Sequence, residues 1–441
     1  MKDLYKKHLS KVLNTFDRLM NKYQYDEVVL YSGEIKTVHL DDNTYPFKAY
    51  FNFKYFAPIL DYPNSLIIYK SGEKPKLVLF RQEDYWHSQP KDIEGFWIEF
   101  FDITYYKDIN KIFDNLSTNL SKTAFLGEDT KRFEKLHFKS FNDKKVLDFI
   151  HFNRSYKSEY EVSSIRKANE LASYAHKAAH QSFLDGNSEL QSHLKYLEAI
   201  AFKESEVPYP NIVAYDENSA ILHYMDYSTK KTDSKSFLLD AGASCNGYHS
   251  DITRTFVKDG HDEFKALIQA VDKCNLNIIS KIKIGMNYEE LQEQMHKDVS
   301  QILVDFKLMN ISYDEIYEQG YSKIFSPTGV GHYLGLQVHD VGNFISDENG
   351  SVIERSKEHP YLRLRRDIEA SNVFTIEPGV YIIEQLLRPH MGNKKFNWDN
   401  IKALKPYGGV RIEDNIYVGE NEIINLTRPY FKEIDESSNI I

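Results

Sequence analysis

The chain has 441 residues, a formal net charge of −10, 41% apolar and 14% aromatic residues, proportions that belong to a packed globular protein of one large or two ordinary domains. A mean hydropathy of −0.52 and the lack of any apolar run of about 18 residues argue against a membrane span. The acidic balance, with no Lys/Arg block, weighs against nucleic acid as the main partner.

MKDLYKKHLSKVLNTF carries charges throughout and does not read as a secretory signal. Only Cys245 and Cys274 occur, and Cys274 falls on the apolar stripe Leu267, Val271, Cys274, Ile278, so a reduced, cytoplasmic protein is expected. Residues 1–158 read as an α/β domain. Leu4, Leu9, Val12, Leu13, Phe16, Leu19 and Met20 form a helical stripe. The runs DEVVLYSG, SLIIYK and KLVLFR then read as strands between turn signals. A helix near Ile109–Leu116 and a strand at Ala124–Gly127 complete this half. Residues 159–441 begin with a long amphipathic helix from Glu159, ended by Gly186, and a second helix opened by Ser188. Helices over Glu263–Lys281 and Asn287–Leu308 follow, Asn287 and Glu290 having capping-box spacing. SFLLDAG, SDITRTFV, NVFTIEPGVYII and GVRIEDNIYV read as strands. Helices alternating with hairpin-like strands predict an α+β arrangement whose antiparallel sheet is covered on one side, leaving its other face free for a site.

Five side chains in that half have metal-ligand character: Asp240, Asp251, His332, Glu377 and Glu413. Strand parity places Arg411, Glu413 and Asn415 on one face, with Val410, Ile412 and Ile416 on the other. By the same rule Thr375 pairs with Glu377, and Asp251 with Thr253 and Thr255. A hairpin across ASCNGYHS brings Asp240 near Asp251. Singly, an Asp at a strand end is ordinarily a turn residue and a strand Glu ordinarily solvated. GVGHYLGLQVHDVG resists such a reading, because four glycines and two histidines in fourteen residues imply a backbone close to something. Four carboxylates balance the charge of two divalent cations, and a bridging hydroxide can then act as nucleophile in a hydrolysis. One imidazole and no thiolate suit Mn²⁺ or Co²⁺ better than structural zinc.

The ordered set SGEIKTVHLDDNTYPFK, HFNRSYKSEYE, NIVAYDENSAILHY, SFLLDAG, HYLGLQVHDVG, YLRLRR, TIEPGVYIIE and LKPYGGVRIEDN resembles the pita-bread metallopeptidases, nearly end to end. Within them it is most similar to the bacterial Xaa-Pro dipeptidase (prolidase) type and its relative, the organophosphorus acid anhydrolase. The resemblance implies a C-terminal pita-bread catalytic domain and a smaller N-terminal creatinase-like domain that contributes to a homodimer and its pocket. It implies two divalent ions, Mn²⁺ first with Co²⁺ or Zn²⁺ as alternatives, held by Asp240, Asp251, His332, Glu377 and Glu413, with Glu413 bridging. It implies Glu377 as general base, and His223, His339 and Arg411 as supports of substrate and oxyanion. Arg363 is implied to pair with the free carboxylate of a dipeptide. Tyr209 and Asp42 are implied pocket residues, Asp42 from the partner subunit. One position departs: Thr328 stands where the family usually has His. That departure keeps open a low-activity binding paralogue, beside an aminopeptidase P-like or organophosphate-ester hydrolase.

Overall fold

The computed structural model describes residues 1–88, 92–128, 130–231 and 233–437, with side chains through residue 432. The chain divides into two units. The first comprises Met1–Arg154, Ser158–Glu161 and Ile345–Ser351, and the second Ser155–Lys157, Val162–Phe344 and Val352–Ile441. Hydrogen bonds tie Ile345–Ser351 into the first unit: Lys22 Nζ donates to Glu348 O at 2.9 Å and Asn349 Oδ1 at 2.7 Å, and Asn153 Nδ2 donates to Glu348 Oε1 at 3.0 Å.

In the first unit, α1 (Lys2–Tyr23) buries Leu9, Val12, Phe16, Leu19 and Met20 of the predicted stripe and leaves Leu4 and Leu13 half-buried; α2 (Phe51–Phe56) and α3 (Lys144–Arg154) follow in chain order. The strands are β1 (Glu27–Tyr31), β2 (Leu66–Lys70), β3 (Lys76–Phe80), β4 (Asp102–Tyr106), β5 (Thr123–Leu126) and β6 (Ser140–Phe141). They form one mixed sheet in the order β4-β3-β2-β1-β5-β6, with an aromatic-rich core that includes Tyr31, Phe125, Phe133 and Phe138. The helix expected near Ile109 is a 3₁₀ segment, Ile109–Asn115, started by Asp108, whose carboxylate accepts from the Asn110 amide at 3.0 Å.

The second unit holds most of α4 (Glu159–Leu184), which buries Ala168, Ala172, Ala175, Ala179 and Phe183. In α5 (Glu189–Ile200) Ser188 and Gln191 form a capping box. Strands β7 (Ile212–Tyr215), β8 (Ser236–Asp240), β9 (Ser244–Cys245), β10 (Tyr248–His249) and β11 (Thr253–Val257) precede α6 (Asp262–Lys281) and α7 (Glu289–Asp305). The last strands are β12 (Val373–Ile376), β13 (Gly379–Tyr381), β14 (Gly409–Arg411), β15 (Asp414–Val418) and β16 (Ile423–Asn425). Three-stranded ladders β11-β8-β7 and β12-β15-β16 and the pair β13-β14 meet through the antiparallel bridge Thr253–Glu413.

The predicted continuous strand NVFTIEPGVYII breaks after Ile376, at Glu377-Pro378, where Pro378 has no N–H for the ladder; its carbonyl still accepts from Ile412 at 3.2 Å. On one side of these strands, Val271, Cys274, Ile278, Leu291 and Met295 of α6 and α7 share a core with Ile376, Val410, Ile412 and Ile416. The other side is not the open face expected. Asp240, Asp251 and Glu413 are only 9%, 6% and 2% exposed. Tyr209 and the His332 loop close over them.

Candidate metal centre

Register brings the carboxylates together. Asp240 ends β8 opposite Thr253, the first residue of β11, so Asp251 lies just beyond the paired ends. The Glu413 amide donates to Thr253 O at 3.0 Å, which carries its carboxylate to the same place. Asn415 Oδ1 accepts from the Asp251 amide at 3.1 Å, and its Nδ2 donates to Asp251 O. His332 arrives on a loop laid along β12: its carbonyl accepts from the Thr375 amide at 2.9 Å, and its amide donates to Thr375 Oγ1 at 3.1 Å. Gly331 permits that approach, since a Cβ there would stand 2.0 Å from Thr375 O, and its φ of +156° is one that L side chains rarely adopt. The Glu377 amide donates to Val330 O at 2.9 Å, fixing Glu377 to the same loop.

Asp251, His332 and Glu413 offer donor atoms all within 4.8 Å of one another. His332 Nε2 lies 3.3 Å from Asp251 Oδ2 and 3.7 Å from Glu377 Oε1, while its Nδ1 donates to Tyr333 O at 2.9 Å. That second bond leaves Nε2 as the nitrogen aimed at the carboxylates. Asp240 joins through Arg411 at 2.6 Å and Tyr209 OH at 2.9 Å. The structure thus collects all five sequence-derived ligand candidates. Tyr209, implied as a pocket wall, holds a carboxylate, and Arg411 is wired in at three points: Asp240, Thr253 Oγ1 at 3.0 Å and Tyr381 OH at 2.9 Å.

Tyr381 has no signature in the sequence pattern, and Thr253 is marked only by sharing a strand face with Asp251. Thr253 Oγ1 donates to Glu413 Oε2 at 2.8 Å while accepting from Arg411 Nε, so one hydroxyl orients both. Its position two residues after Asp251 was the available signal.

The site is short of positive charge. Burial pushes Glu377 up to about 7, Asp251 adding to the rise and His332 opposing it. Burial, then the charges of Asp251 and Glu377, raises Glu413 well above the carboxylate range. Asp240 is raised by burial against the pull of Arg411. Burial would raise Asp251 too, but hydrogen bonding and charge from His332 bring it below its ordinary value. His332 is raised, the Asp251 and Glu377 carboxylates outweighing its burial. Carboxylate oxygens and one imidazole, buried and under-neutralised, fit divalent cations.

The remaining candidates lie outside the carboxylate cage, His339 directly against it. His339 packs edge to face on His332 with ring centroids 4.3 Å apart. Desolvation of its ring, then the His332 and Arg363 cations and His223, hold it below the ordinary imidazole range. His223, His339 and Arg363 are all exposed. Asp42 lies in the first unit, in an exposed turn closed by the Thr37–Thr44 bridge. Thr328 presents its carbonyl to Gln292 at 3.2 Å, and its buried Oγ1 has no partner among the described residues.

Comparison with known proteins decides the family. The profile of metallopeptidase family M24 matches residues 163–420, and that of the Xaa-Pro dipeptidase N-terminal domain matches residues 3–152. The chain belongs to metallopeptidase family M24. This metallopeptidase is 42% identical to Xaa-Pro dipeptidase 2 of Idiomarina loihiensis over 98% of its own length and 99% of the relative's. It is 40% identical to the Xaa-Pro dipeptidase of Pseudoalteromonas translucida, covering 96% and 98%. Among solved structures it superposes on Pseudomonas aeruginosa aminopeptidase PepP with a TM-score of 0.74 at 22% identity, covering 100% and 98%. Zn-substituted Escherichia coli aminopeptidase P in complex with product gives 0.74 at 21%, with the same coverage. These likenesses establish the pita-bread fold of the metallopeptidase.

Proposed function

We propose that this chain hydrolyses Xaa-Pro dipeptides and releases proline. One observation carries the reading: a buried, under-neutralised carboxylate cage in a chain alike over nearly its whole length to Xaa-Pro dipeptidases. Asp240, Asp251, His332, Glu377 and Glu413 would hold two divalent ions, Mn²⁺ in this proposal. Bound there, such ions supply Lewis acidity and a water acidified to near-neutral pKa.

The rest of the work falls to this chain's own side chains. Glu377, 20% exposed where the other carboxylates are nearly sealed, accepts a proton at a carboxylate oxygen as general base. His339 and His223, on the exposed side, donate hydrogen bonds to the carbonyl oxygen as charge grows on it. Arg411 holds Asp240 and, through Thr253, orients Glu413. An Xaa-Pro bond has no N–H, so recognition cannot depend on that donor, and the leaving prolyl nitrogen must be protonated as the bond breaks. Arg363, exposed and without an ion-pair partner among the described residues, pairs with the substrate's free carboxylate and so favours dipeptides. We place Asp42 of one subunit at the pocket of another in a homodimer. Two free cysteines support a reducing, cytoplasmic setting.

The test is turnover by chelator-treated protein after Mn²⁺ addition, comparing Xaa-Pro dipeptides, Xaa-Pro tripeptides and a phosphotriester. Hydrolysis of dipeptides above the other two is expected. No turnover of dipeptide with any divalent ion would overturn the reading.

A further inference from the structure

Helix α7 presents two adjacent side chains to two different loops. Gln292 Oε1 accepts from the Val330 amide at 2.6 Å, and its Nε2 faces Thr328 O at 3.2 Å and His296 Nε2 at 2.9 Å. Those bonds hold the loop that carries His332. Glu293, the next residue, accepts from His359 Nε2 at 2.5 Å and from Tyr317 OH at 2.7 Å. The His359 ring stacks on His296, centroids 5.2 Å apart and planes 15° apart. Its amide donates to Ser356 Oγ at 3.0 Å, and its carbonyl accepts from Leu362 N at 3.0 Å, closing the turn that leads to Arg363.

The two loops also touch directly. A Cβ on Gly329 would lie 2.9 Å from Tyr361 O and 3.1 Å from Leu362 Cα, so the backbones meet with no room for a side chain. Leu362 and Leu364, each 1% exposed, pin the chain on either side of Arg363. The reach of the Arg363 guanidinium is therefore set by where this backbone sits, because that side chain has no ion-pair anchor among the described residues.

We propose that His359, clamped by Glu293 and stacked on His296, is a positioning residue that fixes the distance between Arg363 and the carboxylate cage and thereby sets substrate length. It acts on substrate through Arg363, without touching it. The inference rests on the dipeptidase reading and assigns the device behind it.

The test uses Glu293→Gln, which weakens the clamp at a half-exposed position, and His359→Ala, in the full-length metal-loaded enzyme. KM for an Xaa-Pro dipeptide should rise about three- to tenfold with kcat little changed, as expected for loss of one charge-assisted hydrogen bond acting on binding alone. The same variants should leave KM for the dipeptide's C-terminal amide unchanged and add nothing in an Arg363→Ala background. Manganese affinity, titrated without substrate, should not move. An equal KM rise for the amide, or additivity with Arg363→Ala, overturns the assignment. Hydrogen exchange separates it from the dipeptidase reading: amides of residues 359–364 should lose protection in both variants, whatever the enzyme hydrolyses. Unchanged protection there overturns the assignment; failure of the wild type to cleave either substrate strikes only the proposed activity.

Discussion

Glu413 and Asp414 are sequence neighbours, 2% and 0% exposed, yet they ionise in opposite directions. Asp414 meets Arg254 at 2.9 Å and Arg428 Nε at 2.6 Å, with Asn425 Nδ2 donating at 2.9 Å. Arg428 reaches on to Asp272, so two guanidiniums face two carboxylates. Burial would raise Asp414, but the Arg428 and Arg254 charges bring it below its ordinary value. On the other side of the strand Glu413 shares its surroundings with Asp251, Glu377 and Asp240, and Arg411 is the guanidinium among them. The first cluster is self-neutralised and serves architecture. The second gathers buried carboxylates around Arg411, an excess of negative charge that suits a cation.

Substitutions at the two neighbours should pull that contrast apart. Asp414→Ala removes the buried carboxylate that Arg254 and Arg428 share and should cost about 3–5 kcal/mol, read by denaturant unfolding, with manganese stoichiometry kept in whatever remains folded. Glu413→Gln should do the reverse. Metal-free stability should hold or rise, while manganese affinity, by calorimetric titration, should fall further than the about 10–100-fold that loss of an outer hydrogen-bond partner brings. Equal destabilisation by both would dissolve the distinction between the clusters.

Protons sharpen the comparison next. Glu377 is raised to about 7 by burial, from an ordinary value of 4.5. The folded chain keeps that proton where the unfolded chain has released it. Its stabilising contribution is thus whole below about pH 4.5 and is lost as pH rises through 7. Metal-free Glu377→Gln should exceed wild type in stability by a margin that grows over this window to about 3 kcal/mol. Saturating Mn²⁺ should reverse the ranking. Taking the difference cancels His176 and His296, whose pKa values burial lowers and which therefore reduce total stability as pH falls below 6.5.

Two smaller effects lie around the cage. Thr253→Val removes the hydroxyl between Arg411 and Glu413 and should weaken manganese binding about 10–100-fold with the fold retained. Thr328→His should raise kcat/KM on an Xaa-Pro dipeptide by about fivefold, the worth of one added hydrogen bond, at unchanged metal affinity. No gain there would show that this position does not limit turnover.

Side-chain alternation makes much of this legible in the sequence. Parity alone grouped Arg411, Glu413 and Asn415, and likewise Asp251 with Thr253, and each group converges on the cage. The same rule was blind to the opposite face. It read Val410, Ile412 and Ile416 as an apolar layer and passed over Asp414 and Arg254, because their pairing spans 160 residues of chain. Closure of the site was equally hidden, since it depends on the His332 loop lying along β12, a contact made by backbone atoms and permitted by Gly331. Arg363 and His223 have no periodic signature and came from resemblance alone.

The seven residues Ile345–Ser351 bear on how the protein is made. Arg18, Lys22 and Asn153 of the first unit find partners there. On the ribosome, the amino-terminal sheet and helices emerge long before that segment, so their last polar contacts wait until residue 351 has been synthesised. A fragment ending at residue 158 would carry the same gap permanently. The amino-terminal unit is first in the gene and among the last to be finished.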